Sequence, residues 1–214
     1  MEVLQTIHAV RAVRRFRPTP LSDDLLRRIL DAGRRAGSSK NLQRWDFILV
    51  TDRPTLQRLA SVGPWAGHLA GAAAAVALVT PDPRAEGAPL SVMFDLGRAA
   101  QNMVLAAWAL GIGSVPATVY EQDRAREILG YPPDRHCEYL LSLGYPADPA
   151  DLTRPPRTGG RRPLEEVLHR GRWGRAARRG SSDAGYSQRK KRAAIPRQTT
   201  NQAARMPRSS GSGA

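Results

Sequence analysis

Apolar residues recur at helical spacing near the start of the chain, at Val3, Leu4, Ile7 and Val10, before the run meets Arg11, Arg14 and Arg15. That spacing predicts an amphipathic helix. The following FRPTPL is expected to be extended, because each proline biases the residue before it away from helix. Ser22 is placed to cap a second helix, with Asp23 and Asp24 at the positive end of its dipole. Leu25, Ile29, Ala32 and Ala36 form its apolar face, which ends at Gly37. DFILVT (46–51), AVALVT (75–80) and CEYLLSLGYP (137–146) read as buried strands, with a proline-bounded helix near 55–60 between the first two.

The longest helical pattern is DLGRAAQNMVLAAWALG (95–111), with Leu96, Ala99, Ala100, Met103, Val104 and Ala107 along one side. So many small residues imply close approach of another backbone. GIGSVPATVY (111–120) reads as a helix exit, a short strand and a turn, and EQDRAREILG (121–130) as a short helix closed by Gly130. Prolines 146, 149, 155, 156 and 163 mark an extended excursion that ends in PLEEVLHRGRW. Alternating helices and strands without internal repeats predict one α/β or α+β domain.

Composition changes this picture at one end. From Gly174 to Ala214 there is no Leu, Val, Phe or Trp, so the segment cannot offset its ordering entropy by burying apolar surface. A folded domain over 1–173 and a disordered basic tail over 174–214 are expected. Of 33 Lys and Arg, ten lie after residue 173 against the single acid Asp183, which leaves a net +9 on the tail and +5 on the rest. The tail could attract nucleic acid or anionic membrane through counterion release without reading sequence. The body is only mildly basic, which suits a small anionic ligand.

Cys137 is the one cysteine, so no internal disulfide forms and a reducing compartment is natural. The longest apolar run, 69–79, is too short to span a bilayer. No secretory pattern is visible at the N-terminus, and the cytoplasm is the expected location.

The sequence holds no G-x-S-x-G, no P-loop, no H-E-x-x-H and no spaced Cys/His set, and no metal site is expected. The four histidines, His8, His68, His136 and His169, are dispersed and read as surface or structural residues. GIGS is too short for a dinucleotide fingerprint. An enzyme built from these residues would rely on a bound cofactor for its reactive atom. Three clusters could hold one. Arg11 and Arg14 are three apart and can point the same way, and guanidinium forks match phosphate oxygens. Arg161 and Arg162 form a second pair. Ser38, Ser39, Asn41 and Gln43 offer groups that donate and accept, as a heterocycle with a mixed polar edge requires. A solvated basic face would explain the arginines equally well.

The order VRAVRRFRPTPL, SSKNLQRWDFILV, DLGRAAQNMVLAAWALGIGS, LLSLGYP and RRPLEEVLHRGRW resembles the nitroreductase family of FMN-dependent oxidoreductases over roughly residues 3–173. The resemblance implies an α+β fold: an α/β sandwich with a central mixed sheet flanked by helices, assembled as a homodimer with FMN at the interface. It implies that Arg11 and Ala12 match the N-terminal phosphate-binding stretch. Arg14 would lie near the flavin's pyrimidine edge, where a cation stabilises charge developing at N1 and O2. Arg161 matches the C-terminal phosphate-binding arginine, with Arg162 beside it. Ser38, Ser39 and Asn41 match residues lent to the neighbouring subunit's flavin, with Gln43 adjacent. The backbone of Ala117, Thr118 and Val119 aligns with the segment packed on the N5 side. Val10-Arg11-Ala12 stands where the family often has Arg-Arg-Ser, losing one guanidinium and one hydroxyl.

The implied activity is ping-pong transfer of hydride from NADH or NADPH, through flavin N5, to an electron-poor acceptor such as a nitroaromatic or quinone, with no obligatory side-chain acid or base. The rival expectation, from another class, is a non-catalytic binding protein of the same fold whose basic tail engages nucleic acid.

Overall fold

Ala74–Pro81 is apolar on both faces, and a strand of that kind must lie between two layers. It does: this strand, β2, is almost wholly buried in the computed structural model, which describes residues 2–155 and 160–174. Asp46–Val50 (β1) pairs with it on one side and Arg135–Gly144 (β4) on the other, and Gly113–Thr118 (β3) pairs with β4. The order is β1-β2-β4-β3, with every pairing antiparallel. Among the described residues every strand pairing is antiparallel, and of the mixed sheet expected from the resemblance there is one isolated parallel bridge, Ala12 to Ser114. Apolar periodicity locates strands but carries no strand direction, which pairing decides.

Period-two alternation sorts the sheet into two faces. Ala74, Val76 and Leu78 of β2, with Leu141 and Leu143 of β4, meet helices α2 (Asp23–Arg34) and α4 (Ser91–Ala109). Ala75, Ala77 and Val79, with Cys137 and Leu140, meet α3 (Arg53–Leu59), a 3-10 turn at Gly67–Gly71 and α5 (Gln122–Leu129). Leu78 opposes Tyr139 while Val79 opposes Cys137, so Glu138 is the extra residue of a bulge in β4.

Local signals read from the sequence recur here. Ser22 Oγ accepts from the Leu25 N–H at 3.4 Å; Asp52, not read from the sequence as a cap, likewise closes α3 by accepting from the Thr55 N–H at 2.9 Å. Gly130 closes α5 in the left-handed region at φ 72°. The close approach expected of the long helix is made between α4 and α2, where a Cβ at Gly33 would collide with the Met103 side chain. The second helix stops at Arg34, three residues before the expected Gly37.

Helix α1 (Val3–Ala9) buries only Thr6, and leaves Val3 71% and Leu4 68% exposed. Its apolar stripe is open in the single chain.

The chain divides into two compact units, one ending at Gly160 and one beginning at Arg161. The described part of the second holds a single helical turn, α6 (Leu164–Val167), and a contact of His169 with Trp173 at 4.3 Å between ring centroids. The basic tail expected over 174–214 lies, Gly174 apart, outside the described residues. Among the described residues no helix is long and apolar enough to cross a membrane.

Candidate functional site

Two glycines allow the N-terminal arm to dock along β3, an outer edge of the sheet. A Cβ at Gly113 would lie 2.7 Å from Val13, and one at Gly144 would lie 2.8 Å from the Phe16 ring. The arm is pinned by the Val13 N–H to the Ser114 carbonyl at 3.0 Å, by Arg17 N–H to the Tyr145 carbonyl at 2.8 Å, and by Ala147 N–H to the Arg15 carbonyl at 2.9 Å. Val13 is buried, whereas Ala12 and Arg14, on either side of it, are exposed.

The same edge orders the remaining groups. Ser114 turns its carbonyl outward to Val13, so Pro116 and Thr118 turn theirs the same way by the two-residue period. A proline fits here because an edge position needs no inward N–H. Ala117 and Val119 bury their side chains in the core, and the Val119 N–H is used by the Glu138 carbonyl at 2.9 Å. Of the expected segment 117–119, it is therefore Thr118 that faces outward. Gly63 lies against it: a Cβ there would sit 2.6 Å from the Thr118 carbonyl oxygen and 3.0 Å from the Tyr120 ring.

His68, on the turn at Gly67–Gly71, joins this row. Its Nδ1 is 2.7 Å from Oγ of the fully buried Ser142 of β4. Burial is the main cause that lowers its pKa from the ordinary histidine value; the Arg14 cation lowers it further, and the Pro116 carbonyl opposes both. His68 was read as a structural or surface residue from sequence. The fold brings it within electrostatic reach of Arg14, and nothing in the intervening fifty-odd residues signals that relation.

Arg14 has no hydrogen bond or ion pair among the described residues, whereas Arg11 is engaged. Arg11 Nε donates to the Ala9 carbonyl at 3.1 Å and Nη1 to the Arg154 carbonyl, with the guanidinium 5.6 Å over the Trp108 ring. Nη2 makes no hydrogen bond among the described residues.

The serine-rich segment lies elsewhere. It leads into β1, the opposite edge, three strand spacings or about 14 Å from β3. Lys40, Asn41 and Gln43 all adopt left-handed backbone, at φ 51°, 55° and 47°. Asn tolerates this region, but Lys and Gln do not favour it, at a cost of roughly 1–2 kcal/mol each. Specific bonds hold the turn: Ser38 Oγ accepts from the Gln43 N–H at 2.9 Å, Gln43 Nε2 donates to the Asn41 carbonyl at 3.2 Å, and the Ser39 N–H donates to Asp95 Oδ2 at 2.9 Å. Asp95, only 5% exposed on α4, is a second residue that sequence reading did not single out. Ser38 thus shapes the turn with the hydroxyl expected to meet a ligand and Ser39 with its backbone amide, and the exposed side chains of Asn41 and Gln43 flank it.

The nitroreductase family model matches residues 7–66 and 61–145, which include the N-terminal arm, the strained turn and all four strands. The chain belongs to the nitroreductase family. A relative from Archaeoglobus fulgidus, assigned as an NADH dehydrogenase/NAD(P)H nitroreductase, is 35% identical over 71% of this chain and 89% of its own length. The solved structure of a Parabacteroides distasonis protein with the same assignment superposes with a TM-score of 0.70 at 26% identity, over 80% of this chain and 98% of that one. The NADPH:FMN oxidoreductase of Vibrio harveyi, solved with NAD+, gives 0.68 at 26% identity, over 80% and 77%.

Arg161 and Arg162 of this nitroreductase-family chain lie in its second unit, both exposed. The remaining expected residues fall into two groups at opposite edges of one sheet: Arg11, Ala12, Arg14 and 117–119 on β3, and Ser38, Ser39, Asn41 and Gln43 before β1.

Proposed function

We propose that this chain is an FMN-dependent oxidoreductase that passes an electron pair from NADH or NADPH to an electron-poor acceptor of the nitroaromatic or quinone type, by a ping-pong sequence. Family membership, with relatives assigned as NAD(P)H nitroreductase and NADPH:FMN oxidoreductase, supports the class: an NAD(P)H-dependent flavin oxidoreductase.

The single observation that carries the cofactor is the composition of the β3 edge. Arg14, without a carboxylate partner among the described residues, stands in a row with the outward Pro116 and Thr118 carbonyls. A cation beside backbone acceptors is a set that suits the pyrimidine edge of a flavin. When bound, FMN supplies the two-electron carrier. Arg14 then offsets negative charge at the ring, Arg11 Nη2 takes phosphate oxygens, and Thr118 presents backbone to the ring's far end; Arg161, in the second unit, is proposed by itself as a phosphate ligand.

The two separated groups support a homodimer. A chain that carries half of the polar set on each sheet edge completes both sites by lending the turn at 38–43 to a second copy. Two open surfaces support such a contact: the apolar α1 stripe, and a groove of about 680 Å³ along α4 of mixed character, where Met93 and Phe94 lie among Arg35, Arg98, Gln101 and Asn102. Phe94 is 69% exposed there. We place the protein in the cytoplasm, which the single reduced thiol of Cys137 suits.

The test is direct. Ligand released from purified protein by heat is identified by chromatography, and initial rates are measured over a grid of NAD(P)H and quinone concentrations. FMN with parallel double-reciprocal lines is expected; FAD, no flavin after FMN is added, or intersecting lines would overturn the reading.

A further inference from the structure

A nitroreductase turnover has a proton balance. A C–H bond of NAD(P)H breaks, its hydrogen and electron pair end on the acceptor, and NAD(P)+ leaves. One more proton must come from water to complete the reduced acceptor. Between the two halves of a ping-pong cycle, the protein holds an electron pair whose charge that proton could balance.

We propose that His68 is the proton-holding group of this site: joined through Nδ1 to the buried Ser142 hydroxyl and facing Arg14, it binds one proton when an electron pair arrives and releases it when the pair leaves. This inference rests on the FMN reading above.

Three features of the surroundings make the ring suited to it. First, Ser142 Oγ both donates and accepts, so its bond to Nδ1 survives either protonation state: the hydroxyl donates to a bare Nδ1 and accepts from Nδ1–H. Second, the groups that face His68 are of opposed effect. Arg14 from the N-terminal arm disfavours its charge, the Pro116 carbonyl from β3 favours it, and Ser142 from β4 is neutral; among the described residues no carboxylate pairs with it. Third, Arg14 is the cation assigned to the ring. Negative charge arriving there offsets the Arg14 contribution, the second of the two causes that disfavour charge on His68 after burial, so proton affinity at His68 rises with reduction. The fold thus couples the two events through one guanidinium.

The experiment follows the His68 ring proton by NMR across pH in FMN-loaded protein, oxidised and then reduced under anaerobic conditions. The flavin midpoint potential is measured over the same range in wild type and in His68→Gln, which keeps a hydrogen-bonding side chain for Ser142. Reduction is expected to raise the proton affinity of His68 by about tenfold or more. Between its two titration midpoints, the wild-type potential should fall with pH as for one more proton per electron pair than in the variant. An unchanged His68 titration on reduction, or coincident potential curves, overturns the proposal while leaving the FMN reading intact. Wild-type protein that binds no FMN overturns both. The titration needs no variant, so the result stands even if His68→Gln does not fold.

Discussion

The backbone N–H of Ser39 donates to Asp95 Oδ2 at 2.9 Å, which ties the strained turn before β1 to the interior of α4. A carboxylate only 5% exposed is an uncommon acceptor for a single loop amide, and its place explains how three left-handed residues persist nearby. Asp95→Ala leaves that amide without its acceptor and should cost about 1.5–3 kcal/mol. Asp95→Asn keeps an oxygen in place and should cost less. Urea denaturation of both variants measures this, and an Ala variant as stable as wild type would show that the turn does not depend on Asp95.

The open groove along α4 makes a prediction about assembly. Phe94 lies on it, 5.8 Å from the Arg98 guanidinium, and Arg98 in turn packs where a Cβ of Gly37 would be. Phe94→Asp puts a charge on this surface, so a dimer that uses it should dissociate. Because Ser38 to Gln43 would then be withdrawn from the neighbour's site, flavin content should fall in step. Sedimentation and flavin absorbance of the same samples check both. A monomer that keeps full FMN affinity would rule out the shared site.

Cys137 gives a pH dependence with a defined sign. Burial is the first cause that pushes its thiol from 9.0 up to about 12. Between those values the unfolded chain loses the proton while the folded chain keeps it. Folding stability should therefore fall as pH rises from about 9 toward 12. Tyr131, pushed by burial from 10.0 to about 12, adds to the fall only above 10, so the lower part of the window belongs to Cys137. Cys137→Ala should flatten the stability profile between pH 9 and 10 even though the cavity lowers stability overall. An unaltered slope would mean that the thiol ionises equally in both states.

Local signals carried most of the fold. Ser22, Asp52 and Gly130 act through neighbours within a few residues, and the strands at 46–50, 74–81 and 135–144 follow from apolar runs. What sequence could not carry was any relation made by the fold alone. Strand direction is one. The meeting of His68 with Arg14 is another, since it needs the arm on β3 and the turn after α3 to converge. The backbone of 40–43 is a third: Lys and Gln give no warning of left-handed geometry, and the acid that holds it is more than fifty positions away. The family order of short motifs pointed to the family where spacing could not, and the match over residues 7–66 and 61–145 bears that out.

The two arginine positions proposed for FMN should fail differently. Arg161, if it takes phosphate, contributes charge-assisted hydrogen bonds that are the same whether or not the ring holds electrons. Arg161→Ala should therefore weaken FMN binding by about 1.5–3 kcal/mol, or roughly 10–100-fold, with little change in potential. Arg14 has no carboxylate partner among the described residues and stands at the β3 edge, so its charge acts on the ring. Removing it disfavours the negative charge of two added electrons more than it disfavours the neutral oxidised ring, and Arg14→Ala should shift the midpoint potential negative. Titration of apo-protein with FMN, followed by potentiometry on each variant, separates the two effects. If Arg14→Ala alters only affinity, its electrostatic role is wrong; if Arg161→Ala binds FMN normally, the phosphate is held elsewhere.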